Sequence, residues 1–441
     1  MLQKTAVHLT ARYPNLWRIT QNVVWLGADN ALRLFIGLLV TAWMARYLGP
    51  EQFGAFSFAL AFVAFFTPFV SLGLETIVVR ELVSTAADEQ GRILSTAFFV
   101  KLAGGVLAFV LCFFSTVFLS QNGPHVRWMI FIISIGIVFQ SLDIIDLYYQ
   151  SRLLSKYTIW AKNSAFLLMS MVRIVLIIRH ASVEAFAVAA MLEIVLGGLN
   201  MLFLFSRQKI GLRIRFFSCS LTKRFLQESS FMFASAFMFL CYSRIDQVLV
   251  GKFLGNTFLG VYSAVIRTSE MLFIIPMLLI TTLFPLIVQY RLTNTGLYER
   301  KLGQFYFLLM WMTFFIALLV SLLSDKIILL LYGTKFILAG ELLRIHVWVL
   351  VFLGVGVANT FVLIAERKAT YNLMRTMIAG VFSLIVNVCV IPVLGLKGAV
   401  IVSLISYGIA TFIIGIFPGA RDPVFFMIKS MFCFPGQTKK I

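Results

Sequence analysis

Charge is scarce in this sequence, and acid is scarcest. Only 12% of its 441 residues are charged, with 18 Asp and Glu against 37 Lys and Arg. A soluble domain of this length needs far more polar surface. No long polar stretch is present, so there is little room for a soluble domain. The five cysteines (Cys112, Cys219, Cys241, Cys389, Cys433) show neither a disulfide framework nor a zinc spacing. A Gly-rich phosphate loop, a His/Cys metal cluster and a nucleophile elbow are all missing, so neither catalytic nor metal-ligating residues are assigned. Strict apolar alternation is missing too, which argues against a β-barrel. No cleavable leader is expected, because the first apolar run is too long for one.

What remains is 61% hydrophobic, with a mean hydropathy of +0.96. Twelve apolar runs follow a basic, weakly amphipathic arm at 1–18, which reads as a surface arm or a frayed tail. They fall near 20–46, 54–79, 93–119, 128–149, 157–178, 183–206, 227–250, 258–289, 303–324, 342–365, 371–393 and 398–418. Each is long enough for a bilayer, which takes about 20 residues. The class is an all-α polytopic membrane protein. Of the 37 Lys and Arg, 22 fall on the side holding the N-terminus and 7 on the other. That asymmetry predicts cytoplasmic termini. It also accounts for the net charge of +19 without invoking nucleic acid.

The stretch ARYLGPEQFGAFS, Ala45–Ser57, recurs 206 residues later as GKFLGNTFLGVYS, Gly251–Ser263. Arg46 falls on Lys252, Gly49 on Gly255 and Gly54 on Gly260. Two copies predict a duplicated architecture. The expected units are a six-helix bundle at 1–206, a basic cytoplasmic linker at 207–226, a second six-helix bundle at 227–418 and a cytoplasmic or interfacial tail at 419–441. Pro68 and Pro276 lie at nearly equivalent places in spans two and eight. They read as hinges or as static kinks.

Charges at span depth each need a reason. The basic ones are Arg33, Lys101, Lys162, Arg173, Arg244, Arg267, Arg344 and Arg375. The acidic ones are Asp29, Glu75, Asp143, Asp146, Glu193, Asp246 and Glu270. They imply a water-filled cavity or an ion-pair network between helices. Asp29 pairs with Arg33 and Arg267 with Glu270 by helical spacing. Asp143 and Asp146 share a face with Gln140, and that face needs a cation, a proton or an Arg from another helix. Arg244 and Asp246 point to different sides of span seven. Lys162, Glu75, Glu193 and Arg375 lie nearer span ends and are expected to snorkel. His346 reads as a titrating group or a packing histidine.

WLGADNALRLFIGLLVTAWMARYLGPEQFGAFSFALAF resembles the opening of bacterial polysaccharide exporters of the Wzx type, the O-antigen flippases. These belong to the multidrug/oligosaccharidyl-lipid/polysaccharide exporter superfamily. SRIDQVLVGKFLGNTFLGVYSAVIRTSEMLFIIP is similar to the same family's pattern at the start of its second half, and so is DLYYQSRLLSKYTIWAKN after span four. The resemblance implies a V-shaped pair of six-helix bundles with alternating access. It implies transport of an undecaprenyl-diphosphate-linked oligosaccharide between leaflets of the bacterial inner membrane.

That substrate needs cations for its diphosphate, for which Arg33, Lys101, Arg173, Arg244 and Arg267 are candidates. Asp29, Asp143, Asp146, Asp246 and Glu270 would balance charge or couple H⁺ or Na⁺. Asn30, Gln140, Asn163, Asn200, Trp25 and Tyr242 are candidate sugar contacts. Membrane lipids are expected partners, as are a polysaccharide polymerase and a chain-length regulator. No cofactor is expected. The competing readings are a cation-coupled drug exporter of the same superfamily and a membrane-embedded polymerase or ligase.

Overall fold

A bilayer interior offers no partner for backbone N–H and C=O groups, so an apolar chain satisfies them within helices. The computed structural model describes residues 14–118, 123–206, 216–366 and 368–432, with side chains from Arg33 onward save those at 87–88, 285, 292–293, 369, 418–420 and 422–423. No strand occurs among them. Ten described stretches are helical, long and apolar enough to cross a membrane. Two of these are too long for a single crossing. Arg33–Ser84 has 52 residues and Thr370–Ile416 has 47, each about 70–80 Å of helix against about 30 Å of hydrocarbon.

Both contain a glycine break. Helix α1 (Pro14–Ala64) turns at Gly49, φ 72° and ψ 173°. Helix α15 (Ala369–Phe412) turns at Gly395, φ 60° and ψ −143°. Each therefore supplies two crossings, and the crossings total twelve. Gly255 has φ 89° and ψ 175°, nearly the backbone of Gly49 one repeat earlier. Only glycine adopts this conformation without strain.

The remaining helices of the first half are α2 (Pro68–Ser71), α3 (Glu75–Ser84), α4 (Ala87–Ser115), α5 (Gly123–Phe139), α6 (Ile144–Ser151), α7 (Lys156–Ile178) and α8 (Val183–Ser206). The second half has α9 (Cys219–Phe253), α10 (Asn256–Leu272), α11 (Ile274–Thr293), α12 (Thr295–Tyr332), α13 (Leu338–His346), α14 (Val349–Ala365), α15 and α16 (Pro418–Phe432). The breaks obey the repeat. Span two is interrupted before Pro68 and span eight at Phe273, three residues before Pro276. Span four is interrupted by a 3₁₀ turn at Gln140–Asp143, and span ten at Val347–Trp348.

Three large hydrophobic cores, beside a small one at Tyr242, Ala379 and Ala410, give the molecule its shape. One joins both halves beneath the Gly49 and Gly255 turns, combining Phe53, Phe58 and Phe186 with Tyr262, Tyr332 and Phe336. The other two lie toward the opposite membrane face. One holds Leu74, Leu94, Tyr148 and Phe205, mostly from the first half. The other holds Phe284, Tyr306, Leu309 and Met427, all from the second half. Sharing one core at one end and carrying their own at the other, the halves frame a V-shaped gap that is bridged along one flank.

The stretch from Asp325 is helical to Tyr332, and Asp325 pairs with Arg344 at 2.6 Å. The segment at 207–226 becomes helical at Cys219, where the Ser218 hydroxyl accepts from the Leu221 N–H. The tail stretch from Val424 lies in α16, which buries Val424, Met427 and Met431 against the second-half core.

Candidate functional site

The gap between the two separate cores is a cavity of about 1040 Å³. It reaches Gln150, Glu228, Ile364 and Thr370, close to the turns after Ser151 and Ala365, so its mouth lies on the face opposite Gly49. Tyr242, Phe239 and Tyr407 form an aromatic stretch of the second-half wall, with Tyr242 edge-on to both neighbours at 5.2 Å.

The first-half wall carries the interruption of span four. The 3₁₀ turn and α6 present Asp143 and Asp146 together, and Lys162 reaches across from α7 to both, at 3.0 and 2.9 Å. Thr158 donates to Asp146 at 2.6 Å. The basic partner required by this acidic face is therefore a lysine expected to snorkel. It stays inside because two carboxylates outweigh the gain from reaching water. Lys101, 2% exposed, faces Glu75 at 4.0 Å and also lines the cavity.

Arg375 is a second correction. It is 5% exposed and lines the second-half wall. Its guanidinium donates to Asn372 Oδ1 at 2.9 Å, to the Ala410 carbonyl at 3.0 Å and to Thr360 Oγ1. The cavity brings polar atoms to it at span depth, so its side chain does not extend to the membrane surface.

One turn beyond Lys162, α7 carries Phe166 into a second, narrower chamber of about 350 Å³. Arg33, Arg173, Arg267, Glu193 and Glu270 line it. Arg173 pairs with Glu193 at 2.7 Å. Glu270 receives Arg244 at 2.6 Å and Arg267 at 3.8 Å. Arg33 donates to Asn163 Oδ1 at 2.5 Å and lies 5.5 Å from the Phe166 ring centroid. Four of the five expected basic residues thus gather at or beside this chamber; Lys101 belongs to the wide one. Asp29, Trp25 and Asn30 lie outside the residues whose side chains are described. Gln140 and Tyr242 line the wide chamber. Asn200 is tied to α7 through the Ala161 carbonyl and Ser164.

Asp246 lies in neither chamber lining. It is 3% exposed and accepts from Tyr262 at 2.5 Å, Ser403 at 2.7 Å and the Gln247 N–H at 2.7 Å. Its partners differ from those of Arg244, as their positions on span seven require. His346 is a buried packing group, 3.0 Å from Ser269 Oγ and edge-on to Tyr262.

At the mouth, four charges close a ring between the halves. Arg80 of α3 meets Glu228 of α9 at 2.5 Å, and Arg224 meets Glu228 at 2.8 Å and Glu81 at 2.7 Å. Arg80 and Glu81 complete it at 3.5 Å. Deeper along the same seam Phe69 packs edge-on to Phe233, and Gly73 lies flush against Met232. This flank of the V is sealed.

Broken apolar helices around a charged cavity, open on one face and closed on the other, define a multi-pass membrane protein. Residues 19–291 match the family model for polysaccharide biosynthesis proteins, and the chain belongs to that family. Its fold is similar to that of the lipid II flippase MurJ in an inward closed conformation. That match has TM-score 0.72 and 14% identity, covering 92% of this chain and 90% of the other. It is also similar to an inward-facing multidrug resistance MATE transporter of the MOP superfamily, with TM-score 0.66 and 16% identity, covering 90% and 96%. A MOP superfamily transporter from Pyrococcus furiosus gives TM-score 0.66 and 13% identity, covering 93% and 97%. No curated protein matches the sequence at a significant level.

Proposed function

We propose that the protein flips an undecaprenyl-diphosphate-linked oligosaccharide from the cytoplasmic to the periplasmic leaflet of a bacterial inner membrane, for O-antigen or another surface polysaccharide. One observation carries the reading. A wide cavity lies one turn along α7 from a narrower chamber, toward the closed end, that is lined by Arg33, Arg173 and Arg267. A lipid diphosphate cannot cross about 30 Å of hydrocarbon unaided, and guanidinium forks match its oxygens. The narrow chamber takes the diphosphate, with Arg244 steadying Glu270 beside it. The wide chamber, with Lys101 at its wall, takes the sugars.

The face at the cavity mouth carries the Lys and Arg surplus, so it is assigned to the cytoplasm with both termini. The units 1–206 and 227–418 then rock about the shared core, with Pro68 and Pro276 at the hinge breaks. Asp29, Asp143, Asp146, Asp246 and Glu270 balance charge or couple H⁺ or Na⁺. A polymerase and a chain-length regulator receive the product. Complementation of a flippase-null strain tests the clamp. Arg33→Ala, Arg244→Ala and Arg267→Ala combined, at normal protein level, should abolish surface polysaccharide; a normal polysaccharide ladder would overturn it.

A further inference from the structure

The basic residues of the two chambers are compensated unequally. Lys162, Arg173, Arg244 and Arg267 each contact a carboxylate, and Lys101 has Glu75 within 4.0 Å. In the wide chamber Arg375 is different. Among the described residues its hydrogen bonds go only to neutral oxygens of Asn372, Ala410 and Thr360, and no Asp or Glu forms an ion pair with it. A guanidinium is always charged and has five N–H donors. Nε–H is engaged by Asn372, and each terminal nitrogen gives one N–H to the protein. One N–H on each terminal nitrogen remains.

A buried, uncompensated charge is costly unless something pairs with it. The described residues fix this group from three directions and supply no anion. Its position on the wall of the wide chamber leaves that place to a ligand. The surroundings there are hydroxyl, amide and aromatic: Tyr242, Tyr407, and Ser235 against Thr376 at 3.2 Å. Such groups suit sugars. The diphosphate has its own chamber further in, where the arginines are clustered.

We propose that Arg375 is the anion-recognition residue of the wide chamber, binding a carboxylate carried by the glycan of the transported lipid. The assignment rests on the reading that the chambers hold a lipid-linked oligosaccharide. One N–H on each terminal nitrogen is left, the number that the two oxygens of one carboxylate accept from a guanidinium. The same fork would also accept a phosphate oxygen pair, so the experiment must separate an acidic sugar from the diphosphate.

The full-length protein, purified in detergent, is titrated with three probes and read by native mass spectrometry. The first is a polyprenyl diphosphate without sugar. The second carries one N-acetylhexosamine, and the third adds a hexuronic acid. The wild type should bind the third on the order of tenfold more tightly than the second, the scale of a charge-assisted pair. Arg375→Gln should remove that preference and leave binding of the bare diphosphate unchanged. Arg375→Lys keeps the charge without the fork and should retain part of the preference; it also provides the reading if the glutamine variant does not fold.

Equal loss of all three probes in Arg375→Gln or Arg375→Lys would place Arg375 in the diphosphate clamp and overturn the proposal. So would a wild type indifferent to the uronic acid. Binding of the first two probes with no gain from the third sinks the Arg375 assignment alone. Binding of none sinks the underlying reading as well.

Discussion

Gly54 and Gly260 meet back to back across the two copies of the repeated turn. A methyl group added to Gly54 would strike the Asn256 carbonyl and come within 2.8 Å of the Gly260 nitrogen; one added to Gly260 would strike the Pro50 carbonyl. Asn256 is the repeat equivalent of Pro50, so the contact is reciprocal. It closes the end of the V away from the cavity mouth. Gly54→Leu and Gly260→Leu should each block this closure and cost about 1–3 kcal/mol through overpacking. The expected readout is loss of surface polysaccharide together with a lowered unfolding temperature of the purified protein.

Lys162 holds Asp143 and Asp146 on one wall. Lys162→Ala leaves two neighbouring carboxylates without a cation, at a cost of about 1–2 kcal/mol given the lysine's partial exposure. Adding Asp143→Asn to Lys162→Ala should recover part of the lost transport, because the pair then carries one charge. Complementation of single and double variants measures the coupling. Purely additive losses would show that the three groups act separately.

The ring at the mouth makes a different kind of test. Glu81→Arg and Arg224→Glu each place like charges together, the first facing Arg224 and the second facing Glu228. Each should weaken the seam between α3 and α9. The exchanged double variant restores the Glu81–Arg224 pair and should transport better than either single change. A cysteine pair at positions 73 and 232 reports the seam directly, by crosslinking yield in membranes.

Asp246 depends on Tyr262 and Ser403 for its hydrogen bonds. Tyr262→Phe removes the phenol and leaves a buried carboxylate short of a donor, costing about 1–3 kcal/mol. Ser403→Ala should be milder, since the Tyr262 bond remains. Thermal unfolding in detergent ranks the two variants. Equal, negligible shifts would show that water already serves the carboxylate.

Much of the frame is legible in the chain itself. The twelve runs, the paired turns at Gly49 and Gly255 and the breaks near Pro68 and Pro276 are local features of composition and spacing. So is the Arg267–Glu270 pair, three residues apart on one helix. The pairings that shape the cavity are not local. Lys162 reaches residues 16 and 19 positions earlier, across the turn between α6 and α7. Its helical face alone does not say whether it extends outward or inward. Arg375 lies six residues into α15, where hydropathy suggests a membrane edge. The cavity brings polar partners to it at depth, a property of the assembled halves. The Leu/Tyr-Gly pairs at 48–49, 254–255 and 332–333 were a further signal. Gly333 also has a positive φ, 80°, as do Gly73 and Gly395 after Leu72 and Leu394, so the turn chemistry recurs along the chain.

The ring of Arg80, Glu81, Arg224 and Glu228 stands at the water face; Arg80 is 60% exposed. Dissolved ions reach it, and with a Debye length of about 8 Å at physiological ionic strength they screen its outer field. The Arg173–Glu193 and Arg244–Glu270 pairs are more enclosed, with side chains no more than 34% exposed, and are screened less. The grip between the halves at the mouth is therefore tuned by the salt of the adjoining compartment more strongly than the inner pairs are.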